Sequence, residues 1–158
     1  MGEQVQEAIE LVKTHTIGQA LTDVVDLNIF TTGAVQSLGQ KTCHGAAAHP
    51  IHNALNIIEE GYELLHGLKV SYSIVVQLFI EEIPEAEIKE VVSFFRKLGL
   101  EPSLKGLKLS YSKKVIREVT RKAVNGPVMQ LIPFKVIEEM VISSIDKLEK
   151  MFPTITRT

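Results

Sequence analysis

The residues best equipped for chemistry in this chain are its histidines, and they are unevenly spread. Four of the five, His44, His49, His52 and His66, lie between positions 44 and 66. A neutral imidazole is a ligand for zinc and iron, and it can also carry a proton near neutral pH. His49 and His52 are three positions apart, so a helix puts them on one face. His66 follows His49 by seventeen positions. A helix of about ten residues is roughly 15 Å long, so the chain must fold back if both are to reach one ion. An open catalytic metal site takes three protein donors. Two histidines are therefore an incomplete set, and capping or carbonyl hydrogen bonding competes with ligation as their role. Ala46, Ala47 and Ala48 leave room for close approach, and Gly67 after His66 permits a tight junction. His52 by itself reads as a structural histidine or one that supports a ligand from behind, and His15 as a solvated helix end.

The elements that would position these groups have helical period almost throughout. Val5, Ala8, Ile9 and Val12 mark one face of a helix over 3–15. Leu21, Val24, Val25, Ile29 and Val35 mark a second over 17–38, with an interruption expected at Thr31, Thr32 and Gly33. The small-residue run 39–48 reads as a turn into a helix from about Ala46 to Glu60, and Gly61 as its stop. A helix over 69–82 is apolar nearly all round and belongs in the middle of a core. Pro84 opens the next, and Gly99 ends it. A loop over 100–109 leads to a helix capped by Ser110 or Ser112 and running to Val124. Asn125, Gly126 and Pro127 break it, and a last helix covers 134–152. No hairpin and no fixed-period repeat is visible. The sequence thus predicts an all-α bundle of six to eight helices, in one domain over 1–158.

Composition excludes several function classes. The chain has 158 residues and a formal net charge of −2, which gives no electrostatic footprint for nucleic acid and no polybasic membrane anchor. Hydrophobic residues at 45% argue for a packed globule rather than disorder. The single cysteine, Cys43, rules out a disulfide framework. The first residues lack the basic start and apolar core of a signal peptide, so a cytoplasmic location is expected. The apolar stretch 74–80 is too short to span a bilayer.

The string Ala46-Ala47-Ala48-His49-Pro50-Ile51-His52-Asn53, followed by His66-Gly67-Leu68-Lys69-Val70 and Val75-Val76-Gln77-Leu78, resembles the glycerol dehydrogenases. These lie within the iron-containing alcohol dehydrogenase group, whose fold is dehydroquinate synthase-like. The likeness extends over most of the chain and implies its C-terminal helical domain. It implies a metal, zinc or iron, held by an aspartate and two histidines. The histidines correspond to His49 and His66, with His52 at the substrate pocket. It also implies NAD, bound by an N-terminal α/β half through a glycine-rich loop that has no counterpart here. The metal-binding aspartate has no match either, and Asp23 and Asp26 do not align with it. Cys43 and His44 replace a pair of glycines, and Gln130 and Leu131 replace a later His-Asn. The resemblance therefore implies part of a polyol dehydrogenase acting on glycerol or a similar substrate. Such a chain would be inactive without a nucleotide-binding half. A homo-oligomer or a separate NAD-binding subunit is an expected partner. The alternative is a non-catalytic helical scaffold or interaction subunit of the same descent.

Overall fold

The computed structural model of the chain describes residues 2–39, 46–109 and 112–153. Cys43, His44 and the alternative cap Ser110 lie outside the described residues. Every element among the described residues is helical. They form two compact units, Met1–His44 and Gly45–Thr158. Counting the helical run 19–39 once, there are eight helices among the described residues, as the periodicity predicts.

In the first unit, α1 (Gly2–Lys13) packs on α2 (Gln19–Asp26) with Ala8 and Ala20 buried between them. His15 ends α1 in the left-handed region at φ 52°, exposed, a place glycine more often takes. The expected break near Gly33 is absent. Instead Leu27–Thr31 is wound as a π turn that joins α2 to α3 (Thr32–Gly39) without a gap. One extra residue in the turn absorbs the irregularity, and Gly33 stays helical.

The second unit is built round α6 (His66–Ile80). Tyr72, Val75 and Val76 on it are fully buried, as its all-round apolar pattern requires. Around it pack α4 (Ala48–Ala54), α7 (Glu85–Lys97) and α9 (Glu138–Met151), while α8 (Lys113–Val124) lies against α4 and α9. Small side chains at Ala47, Ala48 and Ala54 let α4 approach closely, and Ile51 fills the contact with no exposed surface. Ser112 caps α8, its Oγ accepting from the Val115 N–H at 3.3 Å. Gly99 ends α7 at φ 80°, and the Leu100 N–H returns to the Phe95 carbonyl at 3.0 Å. The last helix starts at Glu138 rather than near Phe134, because Ile137 before it is extended.

The largest departure from the sequence pattern lies between α4 and α6. A single helix over 46–60 gives way to α4, a 3₁₀ turn over Leu55–Ile57, and the short α5 (Glu59–Glu63). Gly61 falls inside α5. A Cβ there would stand 2.3 Å from the Leu55 carbonyl oxygen, so glycine is required by close backbone approach and not by a helix stop. Leu64 and Leu65 are extended, and α6 begins at His66, earlier than the apolar pattern suggests. Gly61→Ala is expected to destabilise the fold by about 1–3 kcal/mol, the range for overpacking, in a denaturant titration.

The loop 100–109 is held rather than loose. Leu104, Leu107 and Leu109 are buried, and the Leu104 N–H donates to Glu149 Oε1 at 2.8 Å. Arg96 donates from Nε and Nη2 to Glu101 Oε1 at 3.1 and 2.8 Å, and from Nη2 to the Pro153 carbonyl at 3.1 Å. Burial pushes the Glu149 carboxyl above its ordinary 4.5; the Leu104 N–H opposes this and the nearby Glu101 adds to it. Above pH 4.5 the unfolded chain releases a proton that the folded chain retains. Stability therefore falls as pH rises from 4.5 and levels off above the raised value. Glu149→Gln keeps an acceptor for Leu104 and removes the charge. Thermal melts should show this variant gaining stability over the parent at neutral pH and losing that part of the pH dependence.

Candidate functional site

The two segments that carry the histidines meet on the contact between α4 and α6. The α4 N-terminus is fixed by α6, since the Ala48 N–H donates to Gln77 Oε1 at 2.9 Å. Gln77 is anchored in turn by its own amide, which donates to Glu81 Oε1 at 2.7 Å. An otherwise unsatisfied donor in the first turn of α4 is thereby met from a neighbouring helix. The polar residue that interrupts the apolar run of α6 is thus a capping group, a role its position in the sequence does not disclose.

His52 is the centre of the cluster. It is 4% exposed, and its Nδ1 lies 3.2 Å from the Ala48 carbonyl. The tautomer with hydrogen on Nδ1 donates to that carbonyl and leaves the lone pair on Nε2. The His66 ring stands at 88° to the His52 ring with centroids 4.6 Å apart. The His49 ring is 5.7 Å from the His52 ring at 66°. The chain therefore does fold back: histidines from both motif segments touch one ring. His49 and His66 are exposed, whereas His52 between their contacts is buried.

The surroundings of His52 favour its uncharged ring. Desolvation holds His52 below the ordinary 6.5, the Ala48 carbonyl works against this, and repulsion from His66, His49 and Lys69 reinforces it. The unfolded chain therefore takes up a proton at a higher pH than the folded one. This contribution to stability is intact above 6.5 and is lost as pH falls below 6.5 toward the lowered value. An NMR titration of the imidazole carbons should show His52 charging below 6.5; a His52 that titrates above 6.5 would contradict the burial argument.

Imidazole nitrogen is the right donor for zinc or iron, and the two histidines singled out by the motif are both at the cluster. Among the described residues, however, no group of three His, Cys, Asp or Glu is arranged to hold a metal ion. The three imidazoles are donors of the right chemistry, but by themselves they do not make up a metal site. A cavity of about 630 Å³ lies between α4 and α8, but its lining includes Pro50, Asn53 and Ala54 from α4 and none of the three histidines.

The chain is 31% identical over 131 residues to a glycerol dehydrogenase of Citrobacter freundii, covering 82% of this chain and 35% of that protein. It is 34% identical over 113 residues to one of Thermotoga maritima, covering 71% of this chain and 30% of that one. The chain is a relative of the glycerol dehydrogenases. It spans about a third of the length of these curated relatives, in their C-terminal region. A probable glycerol dehydrogenase from Sinorhizobium meliloti superposes with a TM-score of 0.83 over 97% of this chain and 42% of that one, at 24% identity, which shows the shared fold. No family model matches the chain.

Proposed function

We propose that this chain forms the metal- and substrate-side helical part of an NAD-dependent polyol dehydrogenase of the glycerol dehydrogenase type. The supporting observation is the convergence of His49, His52 and His66 from the two motif segments onto one contact. In this reading His49 and His66, both exposed, each offer a ring nitrogen to zinc or iron. A bound metal of this kind supplies Lewis acidity at a substrate hydroxyl and lowers its pKa, which readies the carbon beside it to release hydride. His52 is held by the Ala48 carbonyl and forms the wall behind the pair. Ala47 and Ala48, both buried, keep the α4 backbone close to that wall.

In this reading the remaining carboxylate donor and the NAD site are supplied from outside this chain. A longer chain, a separate NAD-binding subunit or a homo-oligomer would complete the enzyme, with glycerol or a similar small polyol as substrate. A cytoplasmic setting suits such an enzyme, and among the described residues no helix is long and apolar enough to cross a membrane. The second reading, a helical scaffold or interaction subunit of the same descent, is favoured by one observation: the described residues hold no three-donor group.

Calorimetric titration with zinc separates the two. The chain should bind zinc, and His49→Ala or His66→Ala should each weaken binding by more than about tenfold, more than outer-shell changes at the low end cost. Helical circular dichroism should be unchanged, because both side chains are exposed. With NAD and glycerol the chain alone should reduce no cofactor. Self-association without zinc binding selects the scaffold, and zinc affinity indifferent to both substitutions removes His49 and His66 as donors.

A further inference from the structure

Lys69 follows His66 by one turn of α6, and only 6% of it is exposed. Its Nζ donates to Asn56 Oδ1 at 2.6 Å and to the Gly61 carbonyl at 2.9 Å. Among the described residues no carboxylate pairs with it. A lysine amine buried against two neutral acceptors is an expensive way to fill space, since a neutral side chain of the same length would do so without the desolvation cost. Its placement points to a task that needs the donor.

The task follows from what lies between the two ends it ties. The stretch from Gly61 to Lys69 contains Tyr62 at 78% exposed and Leu65 at 75% exposed. Glu63, His66 and Gly67 in the same stretch are also exposed. Leu64 and Leu68 are the side chains between them that pack against the core, and backbone bonds within the arch, such as Leu68 N–H to the Leu65 carbonyl at 3.1 Å, are local. Lys69 closes the arch at its base. At one end is Gly61, seated on the Leu55 carbonyl; at the other is the first full turn of α6. The bond to Asn56 ties the same base to the 3₁₀ turn after α4. Closing a short loop at its base removes much of its conformational freedom, and His66 lies inside it.

We propose that Lys69 is a positioning residue: by bridging Asn56 and the Gly61 carbonyl it holds the exposed arch that carries His66 against His52. For the metal this rests on the reading of His66 as a donor; for the arch it does not. The effect on His66 is indirect, through the path of the backbone.

The test is hydrogen–deuterium exchange of Lys69→Met, which keeps the length and apolar stem and loses the donor. Amides of residues 62–68 should exchange about tenfold faster, while those of α7, α8 and α9 keep their parent rates. Zinc affinity, measured at a temperature where both proteins are fully folded, should fall about tenfold, as for loss of an outer-shell support. Asn56→Ala, at an exposed position, serves if Lys69→Met does not fold, and should loosen the same stretch. Exchange in 62–68 that is unchanged, or that rises only in step with the whole protein, overturns the proposal. If the parent chain binds no zinc, the donor reading of His66 fails, and the exchange rates still decide whether Lys69 holds the arch.

Discussion

The contact between α4 and α6 is the constraint on which the second unit depends. It requires side chains small enough at Ala47, Ala48 and Ala54 for two helices to meet, and a large one at Ile51 to leave no gap. It also requires the cap of α4 to come from outside, which Gln77 supplies. With those conditions met, the next segment must turn back at once. The 3₁₀ turn, the close approach of Gly61 to Leu55 and the bridge from Lys69 accomplish that reversal between Leu55 and Lys69. The histidine cluster is a by-product of this packing: His52 is buried by it, and His49 and His66 are brought to its rim.

Burial and charge act in the same direction on His52. Lys69 and three imidazoles gather where, among the described residues, no carboxylate forms an ion pair with them, and desolvation adds to the repulsion at His52. An uncharged His52 relieves both. A neutral imidazole with Nδ1 committed to a carbonyl is also the form in which the opposite nitrogen is free to donate a lone pair. The environment that disfavours a second proton on His52 thus leaves its Nε2 with a free lone pair.

Much of the fold was legible because its helices are amphipathic and its core helix is not. The periodicity of 85–97 and 113–124, and the uniform apolarity of α6, follow directly from which faces are buried. What the pattern missed has physical reasons. Gly61 looks like a stop, but its lack of a side chain serves a contact with a carbonyl six residues earlier. Thr31 to Gly33 look like a break, yet the chain accommodates them by widening the turn just before. Of the site, spacing alone gave two histidines on one face; only the motif resemblance joined His66 to them. Lys69 was hidden because a lone lysine on an apolar helix ordinarily reads as one whose head reaches solvent. Gln77 was hidden because a cap normally sits beside the helix it serves, and this one is 29 residues away.

The exposure of His49 and His66 on the rim has a thermodynamic consequence if they are donors. A metal bound by two rings here and a third group from another segment or subunit would touch both bodies at once. Binding of the ion and docking of that other body would then share one coupling free energy, and each would strengthen the other by the same factor. The ion would act as a fastener as much as a reagent. Its apparent affinity would depend on how much of the partner is present, and the assembly would loosen wherever a chelator competes for the metal.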